Sequence, residues 1–229
     1  MKNLKTWFRE DYPDGLQILW LIRYEVQGLL VRAGAWLSPS HRRRLRATRK
    51  SSHLKLNIAS GSLKSAGWLN VDASPNADLR IDLRQNLPIT SGSVSLIFSE
   101  HFLDHLEYPN TARRFLAECL RVLEPGGRMR LVLHDAEALC RAYVNRDTEY
   151  FRLSGETTTN LVEAVNSTFR FNGFHKFIYD FETLEKLLLE VGFSRVIRCQ
   201  FRQSEIPELV QDFDQVARGV LSMYVEALE

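Results

Sequence analysis

Three acids, Asp72, Asp82 and Glu100, each stand just after a short apolar stretch, and this recurrence constrains the fold more than any other feature of the sequence. Leu54, Leu56 and Ile58 alternate with polar residues up to the small-residue turn Ala59-Ser60-Gly61, the pattern of a buried strand. Residues 68–71, 79–81 and 94–98 read as three further strands. Helical patterns lie between later strands. Pro109 and Thr111 open one whose Phe115, Leu116, Cys119, Leu120 and Leu123 share a face, and Pro125-Gly126-Gly127 stops it. Residues 128–133 then read as a fifth strand, and Asp135 caps a helix running to about residue 145. Residues 146–175 give no clear pattern. Asp180 caps a helix over 181–191 with Gly192 as its left-handed stop, and residues 195–201 and 223–228 close the chain as two strands. Strands alternating with helices predict an α/β fold with a parallel sheet, whose ligands bind outside the carboxyl ends of the strands. All three acids fall on that edge.

The chemistry of this edge is that of a nucleotide pocket. Ala59, Ser60 and Gly61 let backbone N–H groups approach a ligand because no bulky Cβ stands in the way. Asp72, an acceptor-only carboxylate, is placed to receive two ribose hydroxyls. Asp82 is placed to receive an adenine amino group, with Ser99 and Glu100 bordering the rest of the ligand. Any one of these acids alone is equally a turn or helix cap. A nicotinamide or nucleotide-sugar oxidoreductase would want a fuller Gly-x-Gly-x-x-Gly turn; here only Gly61 and Gly67 flank the loop.

The formal charge of +2 on 229 residues conceals an asymmetry. Residues 1–50 carry 11 Lys/Arg against 4 Asp/Glu, whereas the remaining residues carry 19 against 24. Within 16–37, Leu19, Ile22, Val26, Leu29, Leu30, Ala33 and Leu37 form one helical stripe, expected to pack on its own domain, with a partner helix or a membrane surface as alternatives. Arg23 and Glu25 interrupt it too early for a membrane span, and acids at 10, 11 and 14 spoil a signal peptide, so the expectation is no export. The run His41-Arg-Arg-Arg-Leu-Arg-Ala-Thr-Arg-Lys50 reads as a solvated linker. It has the charge to grip RNA or anionic lipid, but no aromatics are interleaved to stack bases. The expected division is therefore residues 1–50, an amphipathic helix and basic linker, and residues 51–229, the main domain. Cys119, Cys140 and Cys199 are odd in number and lack metal or disulfide spacing, which suits a reducing cytoplasm and predicts no metal site.

As a set, Leu56-Asn-Ile-Ala-Ser-Gly61, Gly67-Trp-Leu-Asn-Val-Asp72, Asp82-Leu-Arg84, Ser99-Glu-His101 and Arg121-Val-Leu-Glu-Pro-Gly-Gly127 resemble class I S-adenosylmethionine-dependent methyltransferases of the type-11-like branch. His175-Lys-Phe-Ile-Tyr-Asp180, Val191-Gly-Phe193 and Met223-Tyr-Val-Glu-Ala227 extend the resemblance, which covers about residues 54–228. It implies a Rossmann-like, seven-stranded, mostly parallel sheet with helices on both faces and the last strand antiparallel beside the fifth. It implies S-adenosyl-L-methionine as cofactor, held by Ile58, Ala59, Ser60, Gly61, Asp72, Ala73, Asp82, Leu83, Ser99 and Glu100. The acceptor implied is a small polar molecule, a sugar or another metabolite, with His101, His105 and Tyr179 on the substrate side. A hydroxyl acceptor needs a base, and His134 or His175 is placed to act as one, although each histidine alone also reads as structural. Two departures stand out: Ala59 replaces a usual glycine, and Asn57 a usual acid. Should Ala59 require positive φ, the pocket would be distorted and cofactor affinity would fall. Two other functions compete: a catalytically silent scaffold of the same fold, and an RNA methyltransferase gripping its substrate with residues 41–50.

Overall fold

Seven short apolar runs pair edge to edge in the order β3-β2-β1-β4-β5-β7-β6. They are β1 (Leu54–Ile58), β2 (Leu69–Asp72), β3 (Leu79–Arg80), β4 (Val94–Glu100), β5 (Leu123–His134), β6 (Arg195–Cys199) and β7 (Ser222–Leu228). The computed structural model describes residues 13–61, 64–155, 160–211 and 216–229. Strands β1 to β5 pair in parallel, with Ile58 opposite both Val71 and Ser99. β7 runs antiparallel to both β5 and β6, with His134 opposite Ser222. This is the expected Rossmann-like sheet with its antiparallel last strand.

Period-two alternation sorts the side chains to the two faces. Ile97, Met129, Leu131 and Leu133 join the larger apolar cluster with Phe115, Leu116, Leu184 and Leu188. These last four come from α3 (Asn110–Val122) and α7 (Phe181–Val191), which pack side by side. Leu96, Phe98 and Val132 enter a smaller cluster with Trp68, Leu209 and Tyr224. Asp135 caps α4 (Ala136–Val144), Asp180 caps α7, and Gly192 ends α7 in the left-handed region, all as their sequence positions predict. Between β5 and β7 the sheet also buries an ion pair: Arg130 Nη1 lies 2.9 Å from Glu226 Oε1 with both residues out of solvent.

Several expectations give way to the structure. Pro125-Gly126-Gly127 does not precede β5 but lies within it: pairing with β4 begins at Leu123 opposite Val94 and resumes at Arg128 opposite Leu96, and the residues between are taken up in an irregularity where Gly126 has φ +78°. Residues 146–175 supply two helices, α5 (Thr148–Leu153) and α6 (Leu161–Arg170), capped by Asp147 and Asn160. The basic run is likewise a helix rather than a linker: α2 (Pro39–Arg49) is capped by Ser38 and held by Leu45, against the larger cluster, and by the buried Thr48. The preceding helix α1 (Pro13–Leu37) forms as expected but turns its apolar stripe outward. It meets the domain instead through the buried Gly28 and Val31 and through charged groups. Helix α8 (Val216–Leu221) precedes β7. Among the described residues, no helix is long and apolar enough to cross a membrane.

Candidate active site

The carboxyl ends of β1, β2 and β4 open onto a cleft of about 370 Å³, within the ~300–1,000 Å³ common for small-ligand sites. Ala59, Asp72, Ala73, Asp82, Leu83, His101 and His105, seven of the fifteen expected site residues, line it. Ile58 and Ser99 lie buried on their strands behind it. At the turn after β1, the Ala59 amide donates to the Val71 carbonyl at 2.8 Å, and Ala59 and Gly61 both take positive φ, +59° and +56°. Positive φ is free for glycine and costs an alanine roughly 1–2 kcal/mol. The buried Ser60 hydroxyl has no partner among the described residues.

Counting acceptor sites separates the two acids of the cleft. Asp72 receives the Gly61 amide on Oδ2 at 3.1 Å and the Ser74 amide on Oδ1 at 2.6 Å. An ionised carboxylate has about four lone-pair sites, so two remain, enough for a pair of ribose hydroxyls. Asp82 has no such vacancy. Its Oδ2 receives Arg32 Nε and Nη2 at 2.9 and 2.6 Å and Arg84 Nη2 at 3.1 Å. Its Oδ1 receives the Arg84 amide and Nε at 3.1 and 2.9 Å. Burial alone would raise this carboxyl, but the bonds from Arg84 and Arg32 outweigh it and hold it below the ordinary range. Arg84 also reaches Glu25 and lies 5.0 Å from the centre of the Tyr24 ring, so Asp82 and Arg84 together form the seat of α1. Tyr24, Gln27 and Gly28 of that helix make one wall of the cleft.

A histidine cluster adjoins the cleft. His101 takes φ +49° at the end of β4, and its ring stacks edge-on to His134 with centroids 4.2 Å apart. His134 in turn lies 4.7 Å from His175, which lies 5.1 Å from His105. His101 and His105 line the cleft, whereas His134 and His175 touch these rings and are not among the lining residues. Their organising group is Asp104, fully buried and not singled out from the sequence. Its Oδ2 lies 2.8 Å from His134 Nδ1, its carbonyl receives the Lys176 amide at 2.8 Å, and its Oδ1 has no partner among the described residues. Because a carboxylate only accepts, Nδ1 of His134 carries the proton, and Nε2 is left without a partner among the described residues.

The other histidines are engaged differently. His101 Nδ1 accepts from Arg218 at 2.7 Å and its Nε2 lies 2.9 Å from Ser222 Oγ, so both nitrogens are occupied. Burial, with His134 and Arg218 nearby, pushes its pKa well below the usual value. Glu100, beside it, lies 3.3 Å from Arg218 Nε. His175 donates Nδ1–H to the Thr168 carbonyl at 2.5 Å, and burial pushes its pKa down to about 4. Burial lowers His105 as well. Tyr179 is fully buried, packed edge-on against Phe177 and Tyr108, so it supports the site from within and does not border the cleft. His101, Asp104 and His134 each bring one ligand atom within 4.8 Å of the others. The Arg218 guanidinium on His101 opposes a cation there.

Residues 41–131 match a family model described as a methyltransferase domain. No curated protein matches the chain. Among solved structures, the chain is similar to an S-adenosylmethionine-dependent methyltransferase from Mesorhizobium loti, at 18% identity over 81% of this chain and 95% of that one, with a TM-score of 0.46. A second, from Methanosarcina mazei, shares 16% identity over 81% and 96% of the two chains, with a TM-score of 0.48. A Haemonchus contortus N-methyltransferase in complex with phosphomonomethylethanolamine and S-adenosylhomocysteine shares 15% identity over 88% of this chain and 58% of that one, with a TM-score of 0.42. Over residues 41–131, then, the chain is similar to a methyltransferase domain.

Proposed function

We propose that this enzyme methylates a hydroxyl group of a small polar molecule, a sugar or another metabolite, and that His134 takes the hydroxyl proton. The observation that carries the reading is the buried Asp104 bonded to His134 Nδ1, which fixes the tautomer and leaves Nε2 as the basic nitrogen. His175 is the weaker candidate because its pKa is pushed down to about 4, and His101 has no nitrogen to spare.

The cleft suits an adenosyl group. Among the described residues Asp72 keeps two acceptor sites, the Ser60 hydroxyl in the turn has no partner, and a side chain built on Gly61 would meet only open space. Ala59, Ser60 and Gly61, with Asp72, Ala73 and Leu83, are the residues proposed to hold it. Asp82 is proposed to act chiefly through α1, since Arg32 and Arg84 fill its acceptors. The cofactor, when bound, supplies a methyl group made electrophilic by a positively charged sulfur. The task left to the chain is to hold the acceptor in line and remove its proton.

Turnover is tested by the release of S-adenosylhomocysteine across a panel of hydroxyl-bearing metabolites. His134→Gln is expected to lower kcat by about 10²–10⁴-fold, the span of general-base catalysis, while leaving cofactor affinity unchanged. Asp104→Asn is expected to lower kcat with a displaced pH–rate profile. Full turnover by both variants would remove the proposed base.

A further inference from the structure

We infer that α1 and α2 together form a docking surface for an anionic lipid bilayer. At 100° per residue, Ile18, Leu19, Ile22, Val26, Leu29, Leu30 and Leu37 fall within an arc of about 120° on α1. All seven are exposed, Leu29 at 60%, Leu30 at 66% and Leu37 at 78%. Tyr24, Gly28 and Val31 lie on the opposite side of the same helix, where it meets the domain. The stripe is therefore not a core face that has slipped. Its helix is already seated by Gly28 and by the Arg32–Asp82 bond, and the stripe is left over.

The charge next to the stripe selects the occupant. A single residue, Ser38, separates α1 from α2. On α2, Arg42, Arg43 and Arg46 are exposed and make no ion pair among the described residues. Glu25, an acid on α1, is bound to Arg84. An apolar helical face beside uncompensated arginines matches a bilayer interface, where leucine and isoleucine enter the acyl boundary and each nearby arginine gains from anionic headgroups. A second copy would place like charge against like charge. The helix lies on the surface and does not span it, since no described helix is long and apolar enough to cross a membrane.

The test is flotation of the full chain with vesicles of phosphatidylcholine alone or doped with phosphatidylglycerol. Association with the anionic vesicles only, falling as salt rises, is expected. Ile22→Ser combined with Leu29→Ser, both at exposed positions, is expected to weaken it at least tenfold. Arg43→Ala and Arg46→Ala are each expected to weaken it about fivefold. Unchanged thermal melting of these variants shows that they remain folded. Equal binding to neutral and anionic vesicles, no binding to either, or binding untouched by the serine variant would overturn the proposal. So would sedimentation showing that the stripe instead joins two copies of the chain. The readout does not involve methyl transfer, so failure here leaves the proposed reaction standing.

Discussion

Ala59 holds φ at +59° where a glycine would be unstrained, and it does so at the turn that opens the cleft. Replacing it with glycine removes roughly 1 kcal/mol of backbone strain, partly offset by the greater freedom of glycine in the unfolded chain. Ala59→Gly is expected to bind S-adenosylmethionine several-fold more tightly with little change in melting temperature, measured by calorimetry and thermal denaturation. Weaker binding would show that the alanine methyl packs against the ligand. His175 carries a second prediction at this scale. Its pKa is depressed from 6.5 to about 4 in the fold, so the unfolded chain binds the additional proton between those values. The corresponding stability is present above about pH 6.5 and is lost as pH falls toward 4. Burial of His101 and His105 acts in the same direction. Urea unfolding across that window should therefore show stability declining with acid, and less steeply in His175→Gln. Asp72 was legible in the sequence because a strand and a small-residue turn locate it. Asp104 was not, because its role depends on His134, which lies 30 residues away in sequence and meets it only once β4 and β5 pair.

Among the elements, α1 shows most clearly what periodicity can and cannot decide. The spacing of its leucines gives a helix with an apolar face, and the helix is there. Which face the domain takes is set by the surface beneath, and that surface is the Asp82–Arg84 pair, not an apolar groove. The helix approaches so closely that a Cβ on Gly28 would stand 2.5 Å from Arg84 Nη2 and 3.1 Å from Asp82 Oδ2. Gly28→Val is therefore expected to lift α1 from its seat, speeding hydrogen exchange in residues 21–32 and weakening cofactor binding through the lost cleft wall. Arg32→Ala is expected to act more mildly, about fivefold in exchange, since its partly exposed ion pair is worth only about 1 kcal/mol. Unchanged exchange in Gly28→Val would contradict this seating. Helices α4 and α7 were legible because Asp135, Asp180 and Gly192 mark their ends. Helix α2 was obscured by its arginines, which read as solvated whether the backbone is helical or not.

For the molecule as a whole, the antiparallel insertion of β7 beside β5 fixes what lies beneath the histidine cluster. That insertion sets Glu226 opposite Arg130, and Ser222 opposite His134 and within reach of His101. Removing Glu226 leaves the fully buried Arg130 guanidinium with the Gln203 and Gln200 carbonyls but without its bonded carboxylate, and breaking a buried pair in this way costs about 3–5 kcal/mol. Glu226→Ala should therefore lower the urea midpoint sharply, and a shift comparable to that of an exposed pair would show that Arg130 finds other partners. The account as a whole requires the edge formed by Ala59–Gly61 and Asp72 to hold an adenosyl group through the two acceptor sites that Asp72 keeps open. Isothermal titration of S-adenosylmethionine into the wild-type chain and into Asp72→Ala tests this most directly. Measurable binding is expected for the former and a loss of about 10²-fold for the latter, the worth of two hydrogen bonds to a charged group. Equal affinity in both proteins, or no binding by the wild type, would contradict it.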